Sequence, residues 1–526
     1  MTTANTVSTG DATGRWVLFA TILASSMAFI DGSALNVALP ALQADLNATG
    51  VELLWIVNGY LLMLAALILV GGSLGDHFGR KRVFMIGISI FAVASFICGL
   101  APNTTILILA RVVQGIGGAL MIPGSLAIIT ALFRSDERGK AVGWWSTFST
   151  VTTIGGPILG GYLANAGLWR AVFFINIPLA ALALYALVRH VPENKDDSAS
   201  PELDIPGALL VMIGLAGLTY GSIETGRIGP ASAFTNPLVI ASFVVGVVGL
   251  IGFVVVESRS PHPMVPLRLF KSHTFSGANL MTFFLYAALT GALFFFPLNL
   301  IQVQGYPADI AGLAFTPFAV MLALLSRWAG GLVDRYGPRL PLTIGPAIVG
   351  VGFVVLSLPG LTGGVADYWA TYFPGVVIIG VGMGVTVAPL TTTVMGSVSS
   401  SRSGVASGVN NAVTRSAQVL ATAIMGAVAL VSFTSAVDLR TSELDLSSEN
   451  RAALETEALK LGDARVPDSI PATLTDSVGS AIRLSFVDTF RLLLYIAAAM
   501  SFISAVLAAI TVENRLVTQE DEAPSG

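Results

Sequence analysis

The chain has 526 residues, 54% of them hydrophobic and 11% charged, with a mean hydropathy of +0.79 and a net charge of −4. Soluble chains carry about 25% charged residues, so a string of soluble domains is excluded, and the apolar content excludes disorder. The single cysteine, Cys98, excludes an internal disulfide framework, and the acidic balance leaves no footprint for nucleic acid.

An integral membrane protein remains. A bilayer-spanning helix needs about 20 mostly apolar residues, because lipid offers no partners to free backbone groups. Fourteen runs qualify: 16–39, 53–74, 83–101, 105–132, 140–164, 171–188, 205–223, 237–256, 275–302, 309–332, 341–358, 368–395, 404–433 and 486–511. They are continuously apolar rather than alternating, which predicts helices and not an outer-membrane barrel. No basic stretch precedes the first run, so it is expected to be a retained helix rather than a cleaved signal peptide.

With the N-terminus cytoplasmic, 17 of the 27 Lys and Arg fall on inner segments and only Arg170 and Arg227 on short outer loops. Basic residues in short loops set orientation, so both termini are expected inside. The expected organisation is a tail at 1–15, a six-helix half at 16–190, a linker with two inserted spans at 191–272, a second six-helix half at 273–511 and a tail at 512–526. A long outer loop at 434–485 interrupts the second half. That loop is acidic by four charges, and its stretch 447–462 predicts a short surface helix.

In chain order, the first marked residue is Asp31, the one carboxylate deep within a span. Such groups are costly in lipid and mark ion or substrate paths. It lies seven residues below about residue 38, where the first helix reaches its outer end, and Arg111 six below the outer end of the fourth. At about 1.5 Å per residue both sit roughly 10 Å deep, so they are matched to pair, with Gln114 one turn below Arg111. Between them, GGSLGDHFGRKR (71–82) carries Gly72, Asp76, Gly79, Arg80 and Lys81, and GGLVDRYGPR (330–339) repeats it around Asp334 and Arg335. The two aspartates are 258 residues apart, which marks an internal repeat of six-helix halves. The fifth run holds Gly143, Gly156, Pro157, Gly160 and Gly161, a face for close packing with a bend. Asn36, Asn58, Tyr60, Asn410, Asn411 and Arg415 are candidates for pocket lining. Phe294, Phe295 and Phe296 read as lipid-facing or core packing, while Glu224 and Asp309 read as solvated helix ends.

FIDGSALNVALP (29–40), WIVNGYLL (55–62), the 71–82 loop, LARVVQGIGGAL (109–120), GGPILGGYL (155–163) and GYPADIAGL (305–313) occur in order on successive spans. Together they resemble the major facilitator superfamily, and within it the fourteen-helix drug:proton antiporters. His77 stands where the family pattern has arginine, and Thr152 where the antiporter motif has its second glycine. The resemblance implies an all-α major facilitator fold of two six-helix bundles plus two inserted helices. It also implies a gating loop at 71–82, an antiporter bend in the fifth helix, and proton coupling through Asp31, Arg111 and Gln114.

No Gly-x4-Gly-Lys-Ser/Thr loop for ATP, metal cluster or hydrolase triad occurs, so neither an enzyme nor a cofactor is expected and the energy source would be the proton gradient. The function expected is proton-coupled efflux of hydrophobic, cationic or amphipathic compounds across the inner (cytoplasmic) membrane by a monomer, with protons and lipid as its other partners. Export of an endogenous lipid, siderophore or metabolite is the alternative. A non-transporting receptor or scaffold is the alternative of another class.

Overall fold

A computed structural model of the chain describes residues 7–134, 136–194, 204–399 and 402–514. The first residues of the N-terminal tail, most of the linker start at 195–203 and the tail from 515 onward, all expected on the cytoplasmic side, lie outside the described residues. The fourteen long elements are α1 (Ala12–Leu46), α2 (Gly50–Phe78), α3 (Arg80–Leu100), α4 (Thr104–Leu132), α5 (Arg138–Asn165), α6 (Ala171–His190), α7 (Ile205–Ile228), α8 (Pro237–Arg259), α9 (His273–Leu298), α10 (Ala308–Tyr336), α11 (Arg339–Leu356), α12 (Tyr368–Gly396), α13 (Ser403–Thr441) and α14 (Ala472–Thr511).

Local chemistry sets where these helices start and bend. Thr49 and Glu52 form a reciprocal capping box at the head of α2, and Asn103, Asp204, Asn236 and Ser272 each accept a backbone N–H at the first turn of α4, α7, α8 and α9. Prolines explain the breaks. Pro178 has no N–H to give the carbonyl of Phe174, where α6 is interrupted, and Pro317 likewise frees that of Leu313 within α10.

Thirteen of these helices are long and apolar enough to cross a membrane. The other is α5, long enough at 28 residues but lined with Ser146, Thr147, Ser149, Thr150, Thr152 and Thr153. It packs along α1 and against α10, so it is a member of the bundle.

Packing repeats between the halves. In the first, α1 packs on α5 and α6, α4 on α2 and α3, and α3 on α6; in the second, α9 packs on α13 and α14, α12 on α10 and α11, and α11 on α14. An offset of eight helices maps one set onto the other. The inserted α7 and α8 pack on each other, and α7 lies along α2 and α13. Exposed Val244, Val248, Ile251 and Val254 give α8 an apolar outer face, as a helix at the lipid boundary requires.

The interval expected as loop from 434 to 485 is partly helix, because α13 continues to Thr441 and α14 starts at Ala472. The α13 extension is tied to α14 through an Arg440–Asp488 ion pair. Between them lies a short surface helix, Ser448–Ala458, capped by Ser447. The aromatic triplet Phe294, Phe295 and Phe296 is core, with Phe296 set edge-on to Phe315 and Tyr372.

Candidate functional site

Asp31 and Arg111 meet. The Arg111 Nη1 donates to Asp31 Oδ2 at 2.5 Å and to Gln114 Oε1 at 2.7 Å, while Gln114 Nε2 donates to Asp31 Oδ1 at 2.8 Å. All three are at most 1% exposed. Arg111 Nε reaches the Ile56 carbonyl at 3.2 Å, and its guanidinium lies 4.4 Å from the centre of the Tyr60 ring. Behind Gln114, Ser95 takes Asn176 Nδ2 at 2.9 Å and donates to the Phe173 carbonyl at 2.9 Å. Five helices, α1 to α4 and α6 at its break, therefore converge on one carboxylate. Spacing along α4 gives Arg111 and Gln114 one face, since residues three apart are neighbours on a helix.

The carboxylate is buried, but open space begins beside it. A side chain at Gly32, the next residue, would meet nothing within 4 Å, and the same holds at Gly155 on α5. Asn36, one turn beyond Gly32, is half-buried. Two expected lining residues do not reach that space. Asn58 is fully buried and donates to the Leu54 carbonyl of its own helix, and Tyr60 is covered by Arg111.

On the second half, Asn410 spans α13 and α9, donating to Asn279 Oδ1 at 3.1 Å and Thr282 Oγ1 at 3.0 Å. Asn411 is exposed and donates to the Ser407 carbonyl, whereas Arg415 is half-buried with Nη1 on Gln418 Oε1 at 3.0 Å.

The 71–82 loop is tied within its own half. Arg80 pairs with Asp76 at 2.7 Å, the Arg80 N–H donates to the Asn194 carbonyl, and Lys81 Nζ donates to the Val191 carbonyl at 2.7 Å. Gly79 has φ +106°, and the Glu193 carboxylate lies where a side chain would go, so glycine is required there. Among the described residues the loop thus bonds to the segment after α6 rather than to the second half. In the repeat, Pro338 stands where Arg80 does, so Asp334 has no matching partner one turn on; Arg335 lies 5.2 Å from the Tyr336 ring. Gly72 faces Pro123 of α4.

The two halves meet on the side away from the termini. Gly161 abuts the backbone of Ala308 and Asp309, and Gly312 abuts that of Pro157 and Ile158, so the C-terminal end of α5 and the start of α10 touch backbone to backbone. Gly156 and Gly160 fit α5 onto α1 at Ser33 and Ala34. Gln302 Nε2 donates to Gln43 Oε1 at 2.9 Å, and Gln43 Nε2 donates to the Lys460 carbonyl at 2.8 Å. Leu461 is buried against Gly50. The segment after the surface helix thus lies across the seam, and burial raises the Asp463 carboxyl there despite Arg465 and Lys460. Toward the termini the α5–α10 flank parts: Gly143 on α5 and Gly331 on α10 have nothing within 4 Å of a would-be side chain, and Trp144, Phe148 and Trp328 are exposed. The space beside Asp31 is therefore sealed along this flank on one side of the membrane and open on the other.

A multi-pass membrane protein of two pseudo-repeated six-helix halves, with a buried charge network beside an open space between them, is a transporter by class. The sequence matches the Major Facilitator Superfamily over residues 21–422, and the chain belongs to that family. It is 33% identical to the multidrug resistance protein Stp of Mycobacterium tuberculosis (strain CDC 1551 / Oshkosh), over 78% of this chain and 75% of that one. To the tetracenomycin C resistance and export protein of Streptomyces glaucescens it is 27% identical over 99% and 95%. The puromycin resistance protein of Streptomyces alboniger is 31% identical over 78% and 81%. In fold it is similar to a bacterial homologue of the human lysosomal transporter Spinster solved in an inward-facing, unoccupied conformation. That match has a TM-score of 0.64 and 19% identity over 95% of this chain and 98% of the other.

Sequence reasoning did not single out Ser95, Cys98, Asn176, Gln43 or Gln302. The Cys98 thiol lies 3.7 Å from Gln114 Oε1, inside the same network. Small polar residues are common in spans and carry no motif, so the only signal open to a reader was their depth, which fixes level and not direction.

Proposed function

We propose that the protein exports small hydrophobic or amphipathic compounds from the cytoplasm in exchange for protons, by alternating access, with Asp31 as the proton-binding group. The observation that carries this reading is a lone deep carboxylate, bonded on both oxygens, at the edge of a space open on one side. In the described conformation that side would be the cytoplasm. When the outer side opens, Asp31 takes a proton from outside, its bond to Arg111 loosens and cargo leaves outward. On return the proton passes to the cytoplasm and Arg111 reclaims the carboxylate. One pH unit supplies about 1.4 kcal/mol per proton, and no nucleotide is needed. The Asp76–Arg80 loop would brace the first half while the α5–α10 flank opens and closes. The relatives named for multidrug and antibiotic resistance support efflux as the direction.

The cationic cargo expected from the sequence gets no support from the side chains. Asp31 is already engaged by Arg111 and Gln114, and no second deep carboxylate faces the space among the described residues.

The test is transport in reconstituted vesicles with an imposed pH gradient, with uptake of a hydrophobic dye as the signal. Asp31→Asn, which keeps the shape, is expected to abolish the response to the gradient. Gradient-driven transport at the wild-type rate by that variant would remove Asp31 from the coupling role.

A further inference from the structure

One charge in the interior has no counterpart. Arg415 lies twelve residues into α13 from Ser403, about 18 Å along the helix, too deep for its head to reach the surface. Among the described residues the ion pairs engage Arg80, Arg111, Arg170, Arg227, Arg440 and Arg491, among others, and none engages Arg415. A guanidinium carries five N–H donors. For Arg415 a single side-chain bond, to Gln418, is present. Arg111, 1% exposed, has its donors on Asp31, Gln114 and Ile56. Arg491 likewise spends its donors on Asp488 and three carbonyls.

The surroundings of Arg415 are polar where they need not be. Asn410, Asn411, Thr414 and Gln418 share its stretch of α13, and all are at least partly accessible. Facing lipid, such a run would be costly, so it faces the space between the halves. The ionisable groups near enough to act on Arg415 are Tyr60 and Tyr286, phenols that are neutral at physiological pH. Asp31 and Arg111 cancel within their own pair. The wall of the cavity therefore carries one uncompensated positive charge with free donors, with the half-buried Tyr286 among its neighbours.

We propose that the cargo is an amphipathic organic anion, its acidic group held by the Arg415 guanidinium and its apolar body by the apolar side chains around it. A planar fork of donors matches a carboxylate or sulfonate better than any other group in the cavity. Gln418 orients that fork, and Asn410, fixed by Asn279 and Thr282, holds α13 against α9 one turn below. A cation would be repelled by Arg415 and would have to displace Arg111 from Asp31. This inference rests on the reading of the cavity as a cargo path, but not on proton coupling.

Equilibrium binding without any gradient tests it on the full chain in lipid nanodiscs. The probes are naphthalene-2-sulfonate, its uncharged sulfonamide and a naphthyl trimethylammonium, which share one apolar body. The wild type should bind the sulfonate roughly tenfold or more tighter than the other two, the scale of one hydrogen bond to a charged group. Arg415→Gln should bring the sulfonate down to the level of the sulfonamide while leaving the sulfonamide unchanged. Arg415→Lys should keep the preference, and Arg415→Glu should turn it toward the ammonium. Equal binding of all three by the wild type, or preference for the ammonium, overturns the proposal. So does an Arg415→Gln variant that keeps the sulfonate preference. Should that variant fail to fold, the wild-type ranking decides alone. A sulfonate preference in a protein whose transport ignores the pH gradient would retain Arg415 as the anion site and reject only the coupling.

Discussion

Asp31 receives Arg111 on one oxygen and Gln114 on the other, and Arg111 rests on the Tyr60 ring. Two charges removed from water recover their solvation only through such bonds, and stranding one of them costs about 3–5 kcal/mol. Asp31→Ala, which leaves Arg111 charged and 1% exposed, is expected to lower stability by about that amount in thermal or denaturant unfolding in detergent. Adding Arg111→Gln should recover much of the loss. Equal losses from the single and the double variant would mean that the cost is packing rather than charge. The pair was legible beforehand because helix rise is fixed, so counting residues from the outer ends gives depth. What counting cannot give is azimuth. Asn58 and Tyr60 are at suitable depth in α2, yet one turns into its own helix and the other under a guanidinium.

The glycines of α5 act as an element. Gly156 and Gly160 seat the helix on α1, while Gly161, on the other side, meets the first turn of α10. A side chain at Gly161 would strike the backbone of Ala308, which cannot move aside as a flexible side chain could. Gly161→Val is therefore expected to force the touching ends of α5 and α10 apart. Spin labels on those two ends should report a longer distance and a loss of the sealed population, and transport should fall because this flank no longer closes. An unchanged distance distribution would show that the seal is made elsewhere, at Gln43 and Gln302. The motif announced that α5 packs closely, but its two partners, α1 in its own half and α10 in the other, lie 122 or more residues away and required the fold. The 71–82 loop shows the opposite. Its local pair Asp76–Arg80 follows from i to i+4 spacing, and its tether to Val191, Glu193 and Asn194 follows from where α6 ends.

At the scale of the whole molecule, the proposed exchange has an electrical signature. If an organic anion leaves as one proton enters, two elementary charges move in the same electrical sense. An inside-negative potential of 100 mV then contributes about 4.6 kcal/mol, twice the value for one charge. Export of a monovalent cation against one proton would move none. With vesicles at equal pH on both sides, a potassium diffusion potential set by valinomycin should drive naphthalene-2-sulfonate transport. Insensitivity to that potential would mean electroneutral exchange and would argue against an anionic cargo.

The sequence alone determined that the chain is a membrane protein of repeated six-helix halves with inserted helices, because lipid demands apolar length and a repeat announces itself by its spacing. It also determined the level of Asp31 and Arg111, because helix rise ties residue number to depth. Only the tertiary structure decided that the two touch, that Gln114, Ser95 and Asn176 extend the network, and that the segment after the surface helix lies across the seam. It also decided that Arg415, half-buried in α13, has Gln418 as its side-chain partner and no carboxylate among the described residues. Those are matters of which faces of separate helices point together. A pattern read along one helix gives the face but not its partner, and hydropathy is nearly uniform around spans that are apolar on every side.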